Sequence, residues 1–298
     1  MISLSDLTKI SQPYKAILLD AYGVFWGGNA SGILPDAKET MEKFVSEGKW
    51  VGIFSNSTQL VYKELNKYQT HGLHLGQHFH FLLTSGELAK NIFKQRLLPF
   101  ETPQNRFWLY GSVHPKYSSH EVLFQESLYT ATDNIKEADF IYISIPHIKG
   151  EDQTDPYLFQ DTIQKIVSSG LPMVCANPDR FSHEGQPPRA VVRQGSVAAI
   201  YENLGGKVYY IGKPSAIAYQ EALQKFLYLG KCHPQEILMI GDNPETDIRG
   251  AKQFGMSSAL ITQTGIMADR ISHHGLTSAI QQLSEKDYPH YFIERLVS

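Results

Sequence analysis

Two short, wholly apolar runs, Ala16-Ile17-Leu18-Leu19 and Ile237-Leu238-Met239-Ile240, each end within two residues of an aspartate, Asp20 and Asp242. Four consecutive apolar residues bounded by turn-formers fit a strand buried on both faces, which is the environment of a parallel sheet covered by helices. Similar runs recur at Val51–Phe54, Phe81–Leu83, Phe107–Tyr110, Phe140–Ile145, Met173–Ala176, Val208–Ile211 and Ala259–Ile261. Between them lie stretches at helical spacing. Pro35 opens one with Ala37, Met41, Phe44 and Val45 on a stripe, and Gly48 closes it. Gly86–Gln95, a segment started by Asp155-Pro156 and carrying Phe159, Ile163, Ile166 and Val167, Gly195–Leu204, and a stripe of Tyr219, Ala222, Leu223 and Phe226 read likewise. The alternation predicts an α/β chain built on a doubly wound parallel sheet. Open sheets of this kind carry their chemistry at the carboxyl ends of the strands, where Asp20 falls.

Length and texture divide the chain. With 298 residues it has room for two domains. From about 86 to 183 the loops are longer and richer in Pro, His and Ser, and this stretch reads as an inserted α/β domain. The core is then residues 1–85 and 184–298. The charge balance, Lys+Arg 27 against Asp+Glu 30, carries no like-charge block and argues against a nucleic-acid or anionic-membrane partner. The two cysteines, Cys175 and Cys232, lack metal-site spacing and are expected to pack as small apolar residues. No run reaches the roughly 18 apolar residues of a membrane span, and residues 1–7 lack a basic region followed by an apolar stretch. The expected compartment is the reducing cytoplasm.

The chemistry-bearing residues fall in four segments: Asp20-Ala21-Tyr22-Gly23-Val24, Ile53-Phe54-Ser55-Asn56, Gly212-Lys213-Pro214, and Gly241-Asp242-Asn243-Pro244-Glu245-Thr246-Asp247. A carboxylate nucleophile would split phosphate-ester hydrolysis into two easier steps, and Asp20 is the candidate for one. Two anions repel, so a hard divalent cation is needed, and Asp242 and Asp247 supply oxygen ligands and charge for Mg²⁺. Ser55 and Asn56 end a strand where a hydroxyl and turn amides hold phosphoryl oxygens. Lys213 offers a point charge to nucleophile and phosphate. Each segment alone has a plain reading as a turn, a helix cap or a solvated lysine. Their order, each after an apolar strand, is what makes the set specific.

These four segments resemble the ordered motifs of the haloacid dehalogenase (HAD) superfamily. The 35 residues from Asp20 to Ser55 are too few for an insertion, whereas the 158 from Ser55 to Lys213 hold one comfortably. That plan, with Cys175-Ala176-Asn177-Pro178-Asp179-Arg180 and Tyr210-Ile211-Gly212-Lys213-Pro214-Ser215, is similar to the NagD-like, p-nitrophenylphosphatase branch, class IIA. The resemblance implies a Rossmann-like core with an inserted cap, and a phosphatase acting on a small phosphorylated metabolite. It also implies Asp20 as nucleophile and Mg²⁺ ligand, the Tyr22 backbone carbonyl, Asp242 and Asp247 at the metal, Ser55 and Asn56 at the phosphate, and Lys213 as stabilising charge. Asn177, Asp179 and Arg180 are expected to reach substrate, and a homodimer through the caps is the family's habit.

Tyr22 departs from the family, whose phosphatases carry there the aspartate that serves as general acid. The sequence therefore leaves open a weakened, metabolite-binding or regulatory descendant. Asp-Ala-Tyr-Gly also resembles the first motif of the 2-haloacid dehalogenases, but those place their cap after that motif and lack the paired acids at 242 and 247. Among the twelve histidines, His78 and His80 read as alternating on a strand, and His273-His274 as a turn. His147 and His183 belong to the insertion or its hinge, with a possible place at the site.

Overall fold

The computed structural model describes residues 4–28, 30–184 and 189–297, so the first three residues of the segment read for a signal lie outside it. Numbered in chain order, its strands are β1 (Ala16–Leu19), β2 (Trp50–Ser55), β3 (Phe81–Thr84), β4 (Arg106–Tyr110), β5 (Thr130–Thr132), β6 (Phe140–Ile143), β7 (Met173–Cys175), β8 (Phe181–Glu184), β9 (Arg189–Val192), β10 (Val208–Tyr210), β11 (Ile237–Gly241), β12 (Ser257–Ile261) and β13 (Tyr291–Ile293). The residues form two compact units. One comprises the segments up to Ser55, Val61–Leu83 and everything from Lys213 onward; the other comprises Asn56–Leu60 and Thr84–Gly212.

The first unit holds a sheet of order β13-β12-β11-β1-β2-β3, with β13 through β2 pairing in parallel. β1 lies inside it with all four residues at 0% exposure, as its uninterrupted apolar run requires. Leu19 sits opposite both Ile240 and Ile53, so Asp20, Ser55 and Asp242 leave their strands at one edge. Successive strands run outward from β1 through β2 to β3, whereas β11 lies on the other flank. Asp20 and Asp242 thus stand at the switch point of a doubly wound, Rossmann-like sheet. The helix Ala37–Ser46 buries Ala37, Met41 and Phe44 against this sheet's core, while Val45 stays partly exposed. A further helix, Val61–Thr70, absent from the sequence reading, packs Val61, Leu65 and Tyr68 (i, i+4, i+7) with this sheet's core and also buries Glu64.

The second unit has its own parallel sheet, β10-β7-β6-β4-β5, and an antiparallel hairpin of β8 with β9. This corrects the boundary read from loop texture: the chain leaves the unit at Gly212, not at 183, and enters at Thr84, not 86. The reason is pairing. Val208, Tyr209 and Tyr210 bond alongside Met173, Val174 and Cys175, and Val197, Ala198 and Tyr201 of the helix Gln194–Asn203 fill the same core as Ile141 and Met173. Residues 56–60 join this unit because the Ser85 hydroxyl donates to the Asn56 carbonyl (2.7 Å) and Gly86 N–H to Ser57 (3.0 Å).

Asp155 caps Pro156–Phe159 as expected, through Tyr157 N–H (2.9 Å). His78 and His80 precede β3 rather than occupying a strand, each accepting a backbone N–H at 3.0 Å. His273 and His274 end the helix Gly265–His274 instead of forming a turn. Both cysteines are buried. Among the described residues no helix is long and apolar enough to cross a membrane.

Candidate active site

Asp20 continues β1 by one bond, its N–H donating to the Ile240 carbonyl at 2.9 Å. Its carboxylate is paired with the ammonium of Lys213, which is itself only 1% exposed and also meets Asp247 Oδ1 at 2.8 Å. Asp247 lies in a wide, five-residue helical turn, Pro244–Ile248, a form that often marks functional sites. Its Oδ2 accepts Asn243 N–H at 3.1 Å, and the Tyr219 hydroxyl pins the turn by donating to the Asp247 carbonyl at 2.9 Å. Gly241 is required here, since a Cβ would stand 2.2 Å from Asp247 Oδ2.

Asp242 is held by the backbone that follows β12. Its Oδ2 accepts Ile266 N–H at 2.6 Å and its carbonyl accepts Met267 N–H at 3.1 Å. Gly265, at φ +69°, allows this approach, because a Cβ there would fall 1.9 Å from Asp242 Oδ2. The sequence reading missed Gly265; its signal was a glycine opening a helix directly after an apolar strand.

Oxygens of Asp20, Asp242 and Asp247 lie within 4.8 Å of one another. Lys213 alone, which pairs with Asp20 and Asp247, does not balance three carboxylates at this spacing. The strain is visible in Asp247, whose pKa is pushed up to about 6, first by burial and then by the charge of Asp20, against the opposing pull of Lys213 and Asn243. An all-oxygen cluster with surplus negative charge fits a hard divalent cation.

Tyr22 is tied into a different group. Lys67 Nζ donates to its hydroxyl at 3.2 Å, pairs with the buried carboxylate of Glu64, and sits over the rings of Tyr22, Trp26 and Tyr68 at 5.0, 4.9 and 4.8 Å. Burial pushes the Tyr68 hydroxyl far up, reinforced by Glu64, Tyr22 and Asp20. Sequence reasoning did not find Lys67; the available signal was the Glu64/Lys67 pair at i, i+3.

The remaining expected residues group in the second unit, apart from Ser55, which closes β2 in the first and is buried. Asn56 is buried, and its Nδ2 donates to Asp179 Oδ1 at 3.0 Å. Asn177 Oδ1 accepts Asp179 N–H at 3.0 Å, the turn expected of Asn-Pro-Asp. Arg180 is exposed, and its carbonyl accepts from Arg193 N–H (2.8 Å) and the Ser196 hydroxyl (2.6 Å). His147 meets Ser112 at 3.1 Å and His183 lies on β8, both within this second unit.

A family profile described as HAD-hydrolase-like matches residues 210–294. The chain is 32% identical to the dihydroxyacetone phosphatase of Corynebacterium glutamicum (strain R) over 124 residues, 41% of this chain and 42% of that one, so it spans less than half of that relative. To chronophin of Mus musculus it is 23% identical over 283 residues, 95% and 90% of the two chains. A solved hydrolase of the haloacid dehalogenase-like family from Brucella suis 1330 superposes with a TM-score of 0.76 at 21% identity, covering 97% of this chain and 98% of the other.

Proposed function

We propose that the chain is a Mg²⁺-dependent phosphatase of the haloacid dehalogenase superfamily, class IIA branch, acting on a small phosphorylated metabolite, with Asp20 as nucleophile and the second unit as its cap. The observation that carries this is the buried bridge of Lys213 between Asp20 and Asp247, at the sheet edge where Asp242 also emerges. Asp20, Asp242, Asp247 and the Tyr22 carbonyl would hold the cation, which when bound screens the repulsion between Asp20 and a phosphate dianion.

In the first step a carboxylate oxygen of Asp20 bonds to phosphorus while the bond from phosphorus to the ester oxygen breaks. Water then cleaves the aspartyl-phosphate, returning the carboxylate and inorganic phosphate. Lys213 fixes the orientation of Asp20 and offsets charge on it throughout. Ser55 and Asn56 offer a hydroxyl and turn amides to the phosphoryl oxygens. Asn177, Asp179 and Arg180 are the cap residues assigned to substrate, and the name of the dihydroxyacetone phosphatase relative favours a triose-sized phosphate.

Tyr22 supplies no carboxylic acid, and its hydroxyl is engaged by Lys67. General acid–base help is worth typically 10²–10⁴-fold, or about 3–5.5 kcal/mol of barrier. Its loss weighs on alkyl leaving groups and little on activated ones. This same feature favours a second reading, a metabolite-binding descendant with weak turnover. Metal-free dehalogenation gains nothing from Asp242 and Asp247 beside the nucleophile. Two buried, free thiols accord with a cytoplasmic setting.

The test is initial rates on monoesters graded from aryl to alkyl leaving groups, with and without Mg²⁺, for the wild type and Asp20→Asn. Turnover that needs both metal and Asp20 and drops steeply as the leaving group worsens supports the phosphatase lacking its usual acid. No turnover on any ester sinks it in favour of the binding protein.

A further inference from the structure

The second unit contains a cavity that the phosphatase reading does not use. In its sheet the chain steps from β4 outward to β5 and then returns past β4 to β6, so the topological switch lies between β4 and β6. At that point, outside the carboxyl ends of the two strands, Ser112 and Ser144 line a cavity with Thr58, His114, His120 and Gln194. It leaves about 20 Å³ for the centres of water-sized groups, room for one or two hydroxyls. The position is the one where open α/β sheets take ligands.

Among the described residues three buried polar atoms at this cavity have no hydrogen-bond partner: Gln194 Oε1, His120 Nδ1, and His114 Nε2, which lies 3.6 Å from Asp152 Oδ1. Gln194 is 1% and His114 3% exposed, so leaving them unmatched costs about 1–3 kcal/mol each. His114 Nδ1 accepts Lys116 N–H at 3.1 Å, which puts the proton of the neutral ring on Nε2. The lining therefore includes an acceptor, Gln194 Oε1, and a donor, the His114 Nε2–H, the two complementary roles a hydroxyl can meet. Burial holds both imidazoles toward the neutral form. Arg193, a cation whose charge is felt at His114, is spent on Asp152 (2.9 Å), Tyr117 (3.0 Å) and Glu184 (3.1 Å). Gly111, at φ +88°, keeps the two strand ends close, since a Cβ there would lie 2.4 Å from Ser144 Oγ. The rim at Ser112 is exposed, giving a way in.

We propose that this cavity binds a hydroxyl of a neutral sugar or polyol, a site separate in its residues from the carboxylate cluster. Binding needs no catalysis, so it is measured on the Asp20→Asn protein by titrating D-ribose and glycerol against its ¹⁵N-histidine signals, with inorganic phosphate as the anionic control. The expected result is a saturable shift of the His114 and His120 ring nitrogens with ribose or glycerol and none with phosphate. Gln194→Leu weakens that binding about tenfold, the loss of one hydrogen-bonded group. Because Gln194 opens a helix, His120→Phe on the other wall is the second variant, and whichever remains folded by its thermal transition decides. No shift with either polyol, meaning that only water occupies the cavity, overturns the proposal. So does a shift with phosphate alone, or undiminished binding in a folded variant.

Discussion

Replacing Lys213 with methionine keeps the length of a buried side chain and removes its charge. The ammonium faces two carboxylates, of which Asp247 already titrates near 6 instead of 3.8. A carboxyl with a raised folded-state pKa holds its proton more tightly folded than unfolded. In the metal-free protein its contribution to stability is therefore full below pH 3.8 and is lost as the pH rises through about 6. That lift corresponds to about 3 kcal/mol, and above it the curve is flat for this group. Without Lys213 the attraction that opposes burial is gone and the Asp247 pKa moves above neutrality. Stability then goes on falling, by up to about 1.4 kcal/mol per pH unit, within the roughly 3–5 kcal/mol expected for breaking a buried ion pair. The assay is urea unfolding in chelator from about pH 5 to about pH 8. Wild type is expected to change little between about pH 7 and 8 while Lys213→Met loses about 1 kcal/mol. Two parallel curves over the whole range would refute the assignment of Lys213 as the compensating charge for Asp247.

Gly265→Ala is expected to displace the Asp242 carboxylate, because its Cβ has 1.9 Å of space and the backbone is left-handed; calorimetric Mg²⁺ titration should show affinity reduced at least about tenfold, and unchanged affinity would remove Asp242 from the ligand set. Tyr22→Asp returns the carboxylic acid that the family uses, so alkyl phosphate hydrolysis should rise by about 10² or more while aryl rates stay near wild type. An equal change for both ester classes would mean that Tyr22 acts through packing alone.

What the sequence made legible was local. Ala16–Leu19 and Ile237–Ile240 are apolar at every position, so their burial, and the edge at which Asp20 and Asp242 emerge, follow from pattern and turn chemistry. Lys213 followed from its place after an apolar run. Val208–Tyr210 was legible as a strand but not as a member of the second sheet, because periodicity is silent on partners and its pairing with Met173–Cys175 is long-range. The helix Val61–Thr70 was missed although Val61, Leu65 and Tyr68 fall at helical spacing, and with it Lys67, whose position against Tyr22 depends on a buried glutamate. Gly265 is needed because Asp242 approaches it from another strand and because its backbone is left-handed, neither of which periodicity reveals. The cavity of the second unit is likewise assembled from loops distant in the chain.

The claim that Asp20 carries the phosphoryl group is tested most directly by quenching the wild-type protein in acid during turnover of p-nitrophenyl phosphate, reducing with borohydride and locating the modified residue by mass spectrometry. An aspartyl-phosphate is reduced to homoserine, and the account predicts that conversion at Asp20, absent without Mg²⁺ and absent in Asp20→Asn. Turnover with Asp20 unmodified, or modification of a different carboxylate, would contradict it.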